Sequence, residues 1–120
     1  MSNNVKHTTK SIGDIGEAEA SEYLQARGLK EVESNWRHDH GEIDLIMRDG
    51  DCLVFVEVRL RFNPNYGHSL ETISRQKQQK VRQTAKFYLL KTKQYGKVDC
   101  RFDVIGISAG HQITWVKDAF

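Results

Sequence analysis

Three carboxylates and two arginines alternate along a short hairpin: Glu42 and Asp44 precede an Asp49-Gly50 dipeptide, and Glu57, Arg59 and Arg61 follow it. Asp-Gly between two apolar runs is a strong hairpin signal, because a two-residue type I′ turn needs positive φ at both central positions. With Asp49 and Gly50 as the loop, Arg48 faces Asp51, Asp44 faces Phe55 and Glu42 faces Glu57. Opposed residues share a face and side chains alternate with period two, so the five charged groups point the same way. Ile43, Leu45, Met47, Val54, Val56, Val58 and Leu60 form the other face, an apolar surface that belongs to a core. Sheet energetics disfavours Glu42 opposite Glu57, with Asp44 one diagonal away, unless a cation sits among them. The chemistry suggested is the binding of a hard divalent cation by oxygen ligands.

Two further groups bear on that cluster. Glu17 lies in a stripe of small residues, Gly13, Gly16, Ala20 and Leu24, at helical spacing. It either complements a helix dipole or reaches toward Asp44. Lys77 lies four residues before Val81, on the azimuth of an apolar helix face, so it points inward and wants a carboxylate or phosphate partner, or snorkels back to water. On nearly the opposite face of the same segment Arg75, Arg82, Lys86 and Lys93 line up. Such a stripe suits phosphates or is a solvated face.

The elements that must position these groups follow in order. Ser11 to Gly28 reads as a helix, with Ser11 and Asp14 as an imperfect capping box and Gly28 as its stop. Leu29 to Trp36 reads as a strand, and Arg37-His38-Asp39-His40 as a solvated loop rather than a metal site. The hairpin comes next, then a turn-rich loop from Phe62 to Ser69. Ile73 to Lys93 reads as a long helix with Val81, Ala85, Tyr88 and Leu89 buried. Cys100 to Ile107 and Gln112 to Val116 read as strands. The order α-β-β-β-α-β-β predicts an α/β mixed sheet covered on both faces by helices.

The chain of 120 residues suffices for one domain, taken as 13–120 behind a flexible polar N-terminus at 1–12. That N-terminus lacks the apolar core of a signal peptide, and no apolar run approaches a membrane span, so the expected location is the cytoplasm and no membrane partner is expected. Cys52 and Cys100 lack metal-ligand spacing and are expected to be buried thiols in a reducing compartment. The net charge of +2 conceals an asymmetry: from Arg59 to Arg101 eleven basic residues face two acids, and the acidic excess lies elsewhere. A basic block beside a carboxylate cluster suits a polyanion with a metal between them.

Taken together, Gly13-x-x-Gly16-Glu17-x-x-Ala20, Asn35-x-Arg37, Gly41-Glu42-Ile43-Asp44-Leu45-Ile46 and Val54-Phe55-Val56-Glu57-Val58-Arg59-x-Arg61 resemble the YraN-like family of small bacterial proteins. Lys77, Ala85, Tyr88-Leu89, Arg101-Phe102-Asp103-Val104 and Ala119-Phe120 extend the resemblance over almost the whole chain beyond its N-terminus. It implies a restriction-endonuclease-like fold, similar to Holliday-junction resolvases and to D…(D/E)xK nucleases. By that match Glu17 is the helix carboxylate, Asp44 and Glu57 are metal ligands, and position 59 holds the catalytic basic residue. The chain departs from the pattern there, with Arg59 in place of lysine. Arginine supplies charge and hydrogen bonds but cannot act as a base, and Lys77 is a candidate substitute.

The expected function is metal-dependent hydrolysis of nucleic-acid phosphodiesters, DNA before RNA, on branched or structured substrates. Asp44, Glu57 and Glu17 would hold Mg²⁺ or Mn²⁺, with Arg59 and Lys77 beside the phosphate. Arg61, Arg75, Arg82, Lys86 and Lys93 would supply affinity for the backbone. The resolvase likeness leaves a homodimer open. The alternatives are a nucleic-acid-binding module that has lost catalysis through Arg59, and a protein-interaction domain with solvated carboxylates.

Overall fold

Apolar runs of strand length and two stretches of helical spacing give the chain its elements. The computed structural model describes residues 12–39, 41–60 and 73–120. In order these are α1 (Ile12–Gln25), β1 (Lys30–His38), β2 (Gly41–Asp49), β3 (Cys52–Leu60), α2 (Arg75–Lys91), β4 (Asp99–Ile107) and β5 (Ile113–Val116). The strands form one mixed sheet in the order β1-β2-β3-β4-β5. β1, β2 and β3 pair antiparallel, β4 runs parallel to β3, and β5 returns antiparallel to β4. The connection between the two parallel strands carries α2, as a crossover of this length requires. The predicted element order and the α/β mixed sheet are therefore what the chain adopts. No helix among the described residues is long and apolar enough to cross a membrane.

Local chemistry sets the helix ends. Gly28 has φ +98. The Leu29 N–H donates to the Leu24 carbonyl at 3.1 Å and the Gly28 N–H to the Gln25 carbonyl at 3.0 Å, a Schellman closure of α1. Ser74 caps α2 by accepting the Lys77 N–H at 3.0 Å. Lys93 lies past the end of α2 with φ +61, so the basic stripe loses its last helical member. Ser11, His40, Arg61 and the loop from Phe62 to Ser69 lie outside the described residues.

Both faces of the sheet are buried. On one, Ala20 and Leu24 of α1 pack on Leu45, Met47, Val54, Val56, Ile105 and Ile107. On the other, Ala85, Tyr88 and Leu89 of α2 pack on Ile43, Ile46, Leu53 and Phe55. This corrects the one-sided reading of the hairpin, in which one face was charged throughout. Beneath α2 that face is apolar, because a sheet carrying a crossover helix needs cover on both sides. The turn also differs: Asp49 pairs with Cys52, leaving Gly50 and Asp51 as the loop. Gly50 alone has positive φ, +61, the requirement of a type II′ rather than a type I′ turn. Every opposition thus slides by two residues, which keeps Leu45, Met47, Val54 and Val56 on one face but changes their neighbours, while Ile43, read on that same face, turns to the α2 side.

Helix α1 approaches β3 closely, since a Cβ on Gly16 would lie 2.6 Å from Leu60 Cδ2. On β4 the buried Asp103 carboxylate collects Arg101 Nε at 3.0 Å, Trp115 Nε1 at 3.0 Å and the Asp118 N–H at 2.9 Å. Arg101 also reaches Asp49 at 3.0 Å. Both cysteines are free; Cys52 is half-buried and Cys100 exposed, not buried as expected, because β4 begins beyond the cover of α2.

Candidate active site

The β2–β3 ladder ends at the Leu45–Val56 pair. Beyond it Asp44 takes the Val58 N–H with a carboxylate oxygen, Oδ2, at 2.9 Å. Ile43 and Ile46 share the α2-side core although they are three residues apart, while Leu45 sits on the α1 side. Strict alternation is therefore broken at Asp44, and its side chain lies in a seam where two strands part. One oxygen each from Glu17, Glu42 and Asp44 lies within 4.8 Å of the others. Glu17 comes from α1; Glu42 and Asp44 come from β2. Beside them a cavity of about 430 Å³ opens between α1 and β1, lined by Asp14, Glu17, Glu31, Ser34 and Asn35 among others.

Glu57 belongs to the other side of the seam. It is 4% exposed, and its Oε2 is 3.2 Å from Lys77 Nζ, carried in by the first turn of α2. The inward lysine read from the helix pattern thus meets a carboxylate. Glu57 Oε1 and Glu17 Oε1 are buried without a hydrogen-bond partner among the described residues. Arg59 lies near enough to favour the Glu57 anion.

Crowding and burial set the proton affinity of these acids. Burial, then the Asp44 charge, pushes Glu17 up to about 7, against a hydrogen bond from Asn35. Burial, then the same Asp44 charge, raises Glu57 to about 7 against the pull of Lys77. Asp44 is raised by burial, opposed by the Val58 N–H. Groups that resist ionisation when empty of a partner are ones a cation would relieve.

The remaining predicted residues spread along α2. Arg75, Arg82 and Lys86 are exposed, and so is Lys93 beyond the helix. The Arg82 guanidinium lies 5.5 Å from the Phe120 ring centre and Lys86 Nζ 5.6 Å from that of Tyr95, so both lean away from the seam toward the β4 side of the molecule. Arg61 lies outside the described residues. The expected loop at Arg37 and His38 is strand, and His38 stacks 5.9 Å from Trp36 and 4.2 Å from Phe87.

The family model described as "Uncharacterised protein family UPF0102" matches residues 16–107. The chain belongs to the UPF0102 family. It is 45% identical over 111 residues to a "UPF0102 protein" of Coxiella burnetii (strain RSA 493 / Nine Mile phase I), covering 92% of each chain. It is 44% identical over 114 residues to the "UPF0102 protein YraN" of Escherichia coli (strain K12 / DH10B), covering 94% of this chain and 86% of that one. The "UPF0102 protein YraN" of Shigella sonnei (strain Ss046) is 45% identical over the same length and shares.

Glu17, Glu42, Asp44, Glu57, Arg59 and Lys77 all fall inside the UPF0102 match. Three residues that the sequence reading names without giving them a place in the site contribute to it. Glu42 enters the tight triad in place of Glu57; its alternation with Asp44 is the signal for it, and the two-residue slide of the register takes it away from Glu57. Asn35 hydrogen-bonds Glu17 from a left-handed backbone position, φ +53, which Asn tolerates better than most residues. Arg37 sits 3.6 Å from Glu42, its partner across β1 and β2.

Proposed function

We propose that this UPF0102 protein is a divalent-cation-dependent nuclease of the restriction-endonuclease-like kind, hydrolysing phosphodiester bonds in nucleic acid, DNA before RNA. The observation that carries the reading is the convergence of Glu17, Glu42 and Asp44 within 4.8 Å, with the Glu57–Lys77 pair beside them. The donor set fits Mg²⁺ or Mn²⁺: it is all carboxylate oxygen, and one buried oxygen each of Glu17 and Glu57 has no hydrogen-bond partner among the described residues. A bound ion would supply Lewis-acid polarisation of the phosphate and a more acidic water.

The chain's own residues do the rest. Asp44 is fixed by the Val58 N–H and Glu17 by Asn35, so their oxygens are pre-oriented toward one point. Lys77 holds Glu57 and brings positive charge to the seam, where a pentacovalent phosphate gathers negative charge. Arg59 adds charge without acting as a base. Arg75, Arg82, Lys86 and Lys93, with Arg61, would give backbone affinity independent of sequence. A homodimer in the cytoplasm remains part of the proposal, and sedimentation measures the assembly directly.

The identity of Arg59 favours a second reading, a nucleic-acid-binding module without turnover. A panel of branched, flapped, single-stranded and duplex substrates with Mg²⁺ and Mn²⁺ separates the two. Under the nuclease reading the native protein cleaves slowly, Arg59→Lys cleaves faster, and Asp44→Asn or Glu57→Gln abolishes cleavage in either background. Metal-induced thermal stabilisation with no cleavage in either background would select the module. No response to metal and no binding of nucleic acid would discard both and favour a protein-interaction domain.

A further inference from the structure

Building on the nuclease reading, we propose that the notch between α2 and the tip of the β1–β2 hairpin is a pocket for one unpaired nucleobase. The substrate is then nucleic acid with a single-stranded or frayed nucleotide beside the cut.

The geometry starts from helix periodicity. Lys80, Thr84 and Phe87 fall at i, i+4 and i+7 on one face of α2, with Gln83 alongside. They line a cavity of about 150 Å³ together with His38, Asp39 and Gly41. His38 pairs with Gly41 at the end of the hairpin, and its ring stands 4.2 Å from Phe87 at a 33° tilt. Its other neighbour is Trp36, at 5.9 Å and nearly parallel. Trp36 is in turn anchored edge-on to the buried Tyr88 at 5.2 Å. A row of rings thus runs from the core to the rim of the cavity, where Phe87 is 36% exposed.

The rim carries complementary chemistry. The Gln83 amide and the Asp39 carboxylate offer a donor and acceptors to the edge of a base, and the buried Thr84, its hydroxyl donating to the Lys80 carbonyl at 2.8 Å, backs the cavity. Lys80 supplies a cation for the adjoining phosphate. Lys77, which touches Glu57, lies three residues earlier, less than one turn of α2 away. The cavity floor depends on Gly41, where a Cβ would overlap Thr84 Oγ1. Every base has a π-face, so stacking here selects for an unpaired strand and not for a sequence.

The test uses the full chain and labelled oligonucleotides in EDTA, so that binding is read by anisotropy without cleavage. The native protein should bind a single strand more tightly than a duplex of equal length. Phe87→Ala should weaken single-strand binding about tenfold while leaving duplex binding unchanged, and Phe87→Trp should retain it. Phe87 is partly exposed, so both variants should keep the native melting profile. Single-strand binding unchanged in Phe87→Ala, equal binding of single strand and duplex, or no binding of either by the native chain would overturn the pocket. Metal-dependent cleavage lost in Asp44→Asn but indifferent to Phe87 would sink the pocket alone. Strand-selective binding lost in Phe87→Ala, with no cleavage by any variant, would sink the nuclease reading alone.

Discussion

At the scale of single residues, the candidate site is under electrostatic tension. Glu17 and Glu57 hold their protons up to about 7, against an ordinary value of 4.5, chiefly through burial and the Asp44 charge. Between those values the folded chain binds more protons than the unfolded one, so linkage makes stability fall as pH rises through that window. Thermal melts in EDTA should therefore show a lower midpoint on the alkaline side of the window than on the acid side. Glu17→Gln should flatten that slope and raise the midpoint above pH 7. Mn²⁺ should raise the alkaline midpoint of the native chain far more than that of Glu17→Gln. Superimposable pH profiles of the two proteins would show that crowding at Glu17 has no thermodynamic weight. The inward Lys77 is legible in the sequence through helix azimuth, and Asp44 and Glu57 through their place as acids among apolar strand residues, though not their sides of the seam. Asn35 is not, because its place depends on a left-handed backbone that no periodicity announces.

At the scale of elements, α2 lies against the start of β2 so closely that Gly41 and Thr84 fill one space. Gly41→Ala should destabilise the fold by about 1–3 kcal/mol through overpacking. Thr84→Ala in the same chain should restore part of that loss, a coupling that a double-mutant cycle measures. Additive effects would place the strain elsewhere. The buried face of α2 is readable from Val81, Ala85, Tyr88 and Leu89 alone, since helical periodicity needs no partner. The hairpin is harder. Asp49-Gly50 announces a turn, yet a Gly-first turn and an Asp-Gly turn differ by one residue in loop position and by two in every pairing. That small difference moves Glu57 from opposite Glu42 toward Asp44, and no local signal decides it.

For the whole molecule, stability and chemistry sit on neighbouring strands of one sheet, Asp103 standing across from Val56, one residue before Glu57. The carboxylates gather where β2 and β3 part, whereas Asp103 ties Arg101, Trp115 and the chain near Asp118 together at β4 and β5. Asp103→Ala removes the Trp115 indole's acceptor and, among the described residues, leaves Arg101 with Asp49 as its carboxylate partner. The expected cost is about 3–5 kcal/mol in global unfolding, the scale for stripping one member from a buried ionic network. Metal-induced stabilisation should persist at temperatures where the variant is folded. A variant that melts like the native chain would show the network to be dispensable. The two-sided burial behind this division is predictable from the order of elements, because a parallel β3–β4 pair joined through a helix calls for cover on both faces.

The bond from the Val58 amide to Asp44 Oδ2 also makes the protein its own spectroscopic reporter. Most amides in the sheet answer to a neighbouring backbone carbonyl, so their nuclear magnetic resonance positions follow the ladder. Val58 answers to a carboxylate. Its amide resonance should move as Asp44 gains a proton or a cation, giving a single assigned peak from which occupancy of the seam is read without substrate, label or turnover.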